Sequence, residues 1–338
     1  MKQLLASTAI LAFCAGAASA EIALSGSARM GIVSDFGDTD AQFSSRVRIV
    51  FTASGETDTG LAFGASVRHD QDDAPGDGYL NGDNTVFISG AFGKLTMGDV
   101  DGAAAAAVGQ VDGVGYTGLS DHNEITYIAT GGVNFNGPLP PFPSVDYSTD
   151  TSVLYEYSTG PVSIYASSTQ LDYVAPLGGG FDAQAYSVAG AYTIDTYKFS
   201  LGYEKLDFDA VGGGPLFIDA KNWVVGADAG FGAVTVKARY SQADLNDSNV
   251  LAYELDQWAL SGTYTADALS LTAYASSKDG SLDGTGNVYS VDALGLGASY
   301  DLGGGAAVSG GVVRLDETIG AAASVEDTAY DLGLTFSF

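Results

Sequence analysis

Tyr330-Asp-Leu-Gly-Leu-Thr-Phe-Ser-Phe338 ends the sequence, and its reading decides the fold. Tyr330, Leu332, Leu334, Phe336 and Phe338 share one parity; Asp331, Gly333, Thr335 and Ser337 share the other. Side chains of an extended chain alternate between two faces, so this is a strand with one apolar and one polar side. A soluble sheet buries its apolar face, and gains nothing from an apolar aromatic as its last residue. Two architectures compete: a soluble β-sandwich, and a closed barrel whose apolar face meets lipid.

The same alternation recurs upstream. Ile22, Leu24, Ala28, Met30 and Ile32 stand opposite Ser25, Ser27 and Arg29, and Val47, Ile49 and Phe51 opposite Arg46, Arg48 and Thr52. Phe63, Ala65 and Val67 oppose Ser66 and Arg68; Tyr197, Phe199, Leu201 and Tyr203 oppose Lys198, Ser200 and Glu204. Val234, Val236, Ala238 and Tyr240 oppose Thr235, Lys237 and Arg239. Aromatics gather near strand ends on the apolar face, as in the girdles of a membrane barrel.

Connections alternate in length. Short ones fall near 54–60, 90–93, 159–161, 193–196, 229–233, 265–268 and 301–305. Longer, Asp-, Gly- and Asn-rich ones fall near 33–42, 69–83, 99–150, 169–181, 205–217, 241–253, 277–287 and 314–326. This pattern predicts an all-β fold: a 16-stranded antiparallel transmembrane β-barrel, short turns at one end and long loops at the other.

Residues 1–20 read as a secretory signal peptide. Lys2 starts it, an apolar run follows, and Ala18-Ser19-Ala20 is the cleavage site. Phe13 before Cys14 argues against a lipoprotein anchor, which needs a small residue there. The barrel is then 21–338, without cysteine and without a disulfide framework. Net charge of the whole chain is −28, which repels phosphate and excludes nucleic acid as a partner. The hydrophobic fraction of 46% excludes a disordered acidic chain. No apolar run of 21–338 reaches the roughly 18 residues of a transmembrane helix.

The stretch 99–150 is too long, at roughly fifty residues, to be an ordinary connection, and such loops are functional or disordered. It carries Asp99, Asp101, Asp112, Asp121 and Glu124, and ends in a proline-rich run, Pro138 to Pro143.

At Leu24-Ser-Gly-Ser-Ala-Arg-Met-Gly31, Phe43-Ser-Ser-Arg-Val-Arg48, Ser89-Gly-Ala-Phe-Gly-Lys94, Met97-Gly-Asp99, Leu201-Gly-Tyr-Glu-Lys205 and Leu296-Gly-Ala-Ser-Tyr-Asp-Leu-Gly-Gly-Gly305, the chain resembles the general-diffusion porins of Gram-negative bacteria, of the Rhodobacter type. That resemblance implies an outer-membrane homotrimer of barrels exported through the periplasm. Each pore would be water-filled, passive toward ions and small hydrophilic solutes, and narrowed by an inward-folded third long loop, here 99–150. Sixteen-stranded porins with an aqueous channel are the general reference case for such geometry. Phe338 is similar to the signal read by the outer-membrane assembly machinery. Outer-membrane lipids and lipopolysaccharide are the implied surroundings.

Parity places Arg29, Arg46, Arg48 and Arg68 on the polar face of three neighbouring strands, where they form one basic patch. Such like charges are tolerated in a screened, water-filled lumen, with loop acids as counter-charges. Asp99, Asp101, Asp112, Asp121 and Glu124 are the candidates to face them. Opposed rims of this kind orient water and polar solutes at a constriction. Acids such as Asp70, Asp72, Asp73, Asp77 and Asp83 read as a solvated second outer loop. With Asp244 and Asp247 in the sixth, they make a negative mouth and a weak cation preference.

No cofactor is required. Calcium or another divalent cation at loop carboxylates is the one metal expectation. Asp279, Ser281 and Asp283 with Gly284 resemble the start of a calcium loop, but Ser290 stands where the bidentate Glu belongs. Rival functions stay open at this point. A substrate-specific channel would need a lumenal aromatic track, for which Tyr274 is a lone inward candidate. An enzyme would use His122 beside Asp121 and Glu124, with His69 outward at a strand rim. An adhesin would need only the acidic loops.

Overall fold

The computed structural model describes residues 21–72, 84–130, 151–174, 180–211, 218–247, 252–282, 286–320 and 322–338. The expected signal peptide, 1–20, lies outside them. The strands are β1 (Glu21–Ser34), β2 (Gln42–Glu56), β3 (Ala62–Asp72), β4 (Asn84–Gly90), β5 (Gly93–Gly98), β6 (Ser152–Thr159), β7 (Val162–Val174) and β8 (Gly180–Ile194). They continue as β9 (Tyr197–Val211), β10 (Ile218–Phe231), β11 (Val234–Asp247), β12 (Ala252–Ala266), β13 (Leu269–Leu282), β14 (Gly286–Gly303), β15 (Ala306–Ile319) and β16 (Val325–Ser337). One short helix, α1 (Ala103–Val108), lies between β5 and β6.

Each strand pairs antiparallel with its sequence neighbours, and β16 returns to β1 to close the barrel. Closure leaves no unpaired edge, which a sheet surrounded by lipid requires. The seam is finished by the last residue: Gly26 N–H donates to Phe338 O (2.7 Å) and Phe338 N–H to Gly26 O (3.0 Å). At the short-turn end, Asp195 and Asp267 adopt left-handed φ values of 55° and 51° inside two-residue hairpins, where aspartate is among the better-tolerated residues.

Burial is inverted relative to a soluble protein. Leu24 is 66% exposed and Leu296 62%, while Glu204, Asn222, Ser241 and Gln257 are almost wholly buried inside the barrel. The apolar face therefore looks outward along the strands, and polar side chains fill much of the interior. Among the described residues no helix is long and apolar enough to cross a membrane.

Two expectations are corrected. First, the outer connections are shorter than expected, because β9 runs to Val211, β11 to Asp247, β13 to Leu282 and β15 to Ile319. Above the apolar band the outward positions are charged, so the period-two signal fades while the hydrogen-bonded ladder continues. Like charges even stand opposite one another there: Asp207 and Asp219, Asp256 and Asp279, Asp292 and Asp316. Second, the loop expected to begin at Asp279 is strand. Asp279 and Ser281 are paired with β12 and β14, a backbone unlike a calcium loop with its sharp turn at Gly. Asp283 lies outside the described residues, as do Asp73, Asp77 and Asp83.

The wall is uneven. β4 has 7 residues and β5 has 6, whereas β14 has 18. The low side of the barrel adjoins the strands that carry the arginines.

Candidate functional site

After Gly98 the chain leaves the wall and enters the lumen. Gly102 N–H donates to Thr130 Oγ1 (2.6 Å) and ties the two ends of the described segment together. Between them the chain runs along the inner wall and back. Ala103 and Ala104 N–H donate to Ser167 and Ser187 Oγ at 2.8 Å, seating α1 on β7 and β8. Glycines let it lie close: a Cβ at Gly202 would stand 2.6 Å from Ala104 Cβ, and one at Gly226 2.8 Å from Val108 Cγ1. Val114 then crosses Gly297 of β14 in the same way.

At the far end Asp331 of β16 accepts N–H bonds from Tyr116 and Thr117 at 2.8 Å and the Thr117 hydroxyl at 2.6 Å. Arg29 donates to Thr117 O (3.2 Å). On the return, Ser276 donates to His122 O (2.6 Å) and Thr126 N–H to Gln257 Oε1 (2.9 Å). Ile128 and Ala129 N–H donate to the Glu204 carboxylate at 3.0 and 3.2 Å, and Asn222 Nδ2 at 2.8 Å. Strand carboxylates thus clamp paired backbone N–H groups at two points of one loop. Around the clamps, Val114 and Leu119 pack with Tyr274, Val313 and Ala329, while Ile128 and Ala129 pack with Leu206 and Ala243.

The segment lies against β7–β16 and β1, and the inner faces of β2–β6 stand across from it. A chamber of about 700 Å³ opens between them, lined by Arg68, Lys94 and Glu156 from the wall and Asp99, Asp101 and Thr130 from the segment. Lys94 and Glu156 approach to 3.7 Å across β5 and β6.

The expected residues separate as follows. Arg29 and Arg46 stand directly opposite each other on β1 and β2. Arg48 and Arg68 both grip Asp70, at 2.8 and 2.6 Å. Asp70 was expected in a solvated outer loop and is instead an inward residue of β3, 8% exposed. Strand pairing extends past the apolar band, and the arginines hold the carboxylate there. Asp99 and Asp101 face the chamber beside Arg68 and Lys94. Asp112 does not face the arginines: it pairs with Lys237 (2.5 Å) and accepts from Thr263 (2.9 Å) on the opposite wall.

Asp121 and Glu124 both look onto the lumen. Partial burial pushes the Asp121 carboxyl above its usual 3.8, against the pull of Arg29 and Arg46, with Asp35 adding repulsion. Glu124 is raised above 4.5 by burial and then by Asp121, with Lys278 opposing. His122 is lowered from 6.5 by burial and by Lys278.

Among the described residues no catalytic arrangement forms around His122. Its ring meets Phe36 edge-on at 5.0 Å, and among the described residues no serine or carboxylate hydrogen-bonds it. Tyr274 is not a lumenal platform either, being 4% exposed beneath the segment, its ring against Gly295. Sequence reasoning missed the clamping roles of Glu204 and Asp331, although parity had placed both inward. It also missed Lys94 and Glu156, which sit on short strands with little alternation to read.

A profile of the Gram-negative porin family matches residues 6–320. The porin of Rhodobacter capsulatus is 38% identical over 332 residues, covering 94% of this chain and all of that protein. The porin of Fuscovulum blasticum is 26% identical, covering 94% of this chain and all of its own. Among solved structures, a porin refined at 1.8 Å resolution is 34% identical, with a TM-score of 0.70 over 94% of this chain and all of that one. A closed sixteen-stranded barrel, a loop held inside it, and likeness across its length place this chain in the Gram-negative porin family, as an outer-membrane channel and not an enzyme.

Proposed function

We propose that the channel is a passive, general-diffusion pore for ions and small hydrophilic solutes, narrowed between the inner wall of β2–β6 and the segment after Gly98. The carrying observation is the placement of that segment: it is held on one side of the lumen and leaves a charged chamber on the other. Arg29, Arg46, Arg48 and Arg68 with Lys94 form the basic rim. Asp99, Asp101, Asp121 and Glu124 form the acidic rim, and Asp70 ties two of the arginines into the wall. A field across the narrowing orders water and admits polar solutes without a binding step.

The low wall supports a homotrimer. Strands of 7 and 6 residues reach roughly 15–18 Å along the barrel axis, short of an apolar band of about 25 Å. Val67, Val86, Ile88 and Met97 are exposed on that side, and a second and third copy would cover them in a closed ring. Phe338 serves assembly-machinery recognition as well as the seam. Divalent cations between the outward carboxylates and lipopolysaccharide phosphates relieve the like-charge rows, and no other cofactor is needed. A weak cation preference follows from the acidic excess over the balanced rims. Liposome swelling tests the pore: neutral sugars should enter at rates falling with size. Equal rates for protein-containing and protein-free liposomes would overturn it.

A further inference from the structure

Four consecutive residues at the far end of the lumenal segment are left-handed. Gly118, Leu119, Ser120 and Asp121 have φ values of 92°, 50°, 62° and 49°. Glycine adopts this conformation freely, but three non-glycine residues in a row do so only where the surroundings over-determine them. Here they do. Asp331 and Arg29 fix the backbone just before the turn. Leu119 is fully buried among Val114, Tyr274, Val313 and Ala329. Ser120 Oγ donates to the Asp35 carboxylate (2.9 Å), from the connection between β1 and β2. Asp121 N–H closes the turn on Gly118 O (3.1 Å), and its side chain folds back so that a Cβ at Gly118 would collide with Asp121 Oδ1.

The geometry points to this left-handed turn as the selectivity element of the channel: it holds the Asp121 carboxylate beside Arg29 and Arg46, and Asp35 secures it from outside through Ser120. This rests on the porin reading above and adds which acid sets selectivity and what positions it. A right-handed Leu119–Asp121 would carry the carboxylate to another side of the segment. Gly118 is needed twice over, for its φ and for the room it leaves.

The test is the reversal potential of the mature protein and four variants in planar bilayers under a KCl gradient, with folding read from the barrel's circular dichroism. Asp121→Asn should lower the cation-to-anion permeability ratio about threefold, since a unit charge roughly 6 Å from the ion path acts oppositely on cation and anion and salt screening roughly halves each effect. Gly118→Ala should lower it similarly with every charge retained. Ser120→Ala should fall between, and Ser120→Gly, which adopts the turn without strain, should lie nearer the parent. A conducting Asp121→Asn channel with the parent ratio overturns the proposal while leaving the porin reading intact. So does Gly118→Ala with the parent ratio. If Gly118→Ala does not fold, the Asp121 and Ser120 variants decide alone. Folded parent protein that never conducts overturns both readings.

Discussion

Glu204 offers the sharpest perturbation of the lumenal segment. Its carboxylate is buried and accepts from Ile128 N–H, Ala129 N–H and Asn222 Nδ2. Glu204→Ala strands both backbone donors of the segment against the barrel wall, and each unsatisfied buried donor costs about 1–3 kcal/mol, so the clamp loses about 2–6 kcal/mol. Glu204→Gln keeps one acceptor oxygen but turns an amide N–H toward a donor, losing about one such contact. The ladder of β9 with β8 and β10 does not depend on this side chain. The loss is therefore local: the return arm opens while the barrel stays closed. Single-channel recording should show open-channel noise rising from parent to Gln to Ala, with little change in the barrel's thermal transition. Parent-level noise and conductance in Glu204→Ala would refute the clamp.

Three further outcomes are expected. Asp121 and Glu124 are both raised by burial, so cation preference should weaken on acidification beginning above the usual 3.8 and 4.5 of these groups, as measured by reversal potential against pH. A raised pKa means the folded state binds these protons more tightly, so they favour the folded loop as pH falls, and loss of preference should precede any unfolding. Replacing Arg46 and Arg48 together by Ala should increase cation preference severalfold, by removing two positive charges from the rim; an unchanged ratio would place the ion path elsewhere. Gly202→Leu should lower single-channel conductance, since even its Cβ would sit 2.6 Å from Ala104 Cβ and must push α1 into the lumen.

Parity carried most of what the sequence could tell. Leu24 and Leu296 outward, and Arg29, Arg48, Glu204 and Asp331 inward, follow from one rule, because lipid and lumen oppose each other across every strand. That rule loses force where lipid ends. Asp207, Asp279 and Asp316 are outward strand residues that read as loop, since nothing apolar marks their face. It also says nothing of a segment that is not a strand. Asp112 and Asp121 look alike in sequence, yet one is tied to Lys237 and the other is turned toward Arg29 by a left-handed backbone. Asp70 was missed for a related reason: an acid at a strand end looks solvated until two arginines from neighbouring strands are seen to meet on it.

The central claim is that water and ions pass between the β2–β6 wall and the lumenal segment. Its most direct test is single-channel recording of the barrel, residues 21–338, in a planar bilayer under a salt gradient. Ohmic openings that arrive in threes are expected, with a reversal potential showing weak cation preference. A folded barrel that inserts but passes no current would mean that the segment seals the lumen, and would contradict it.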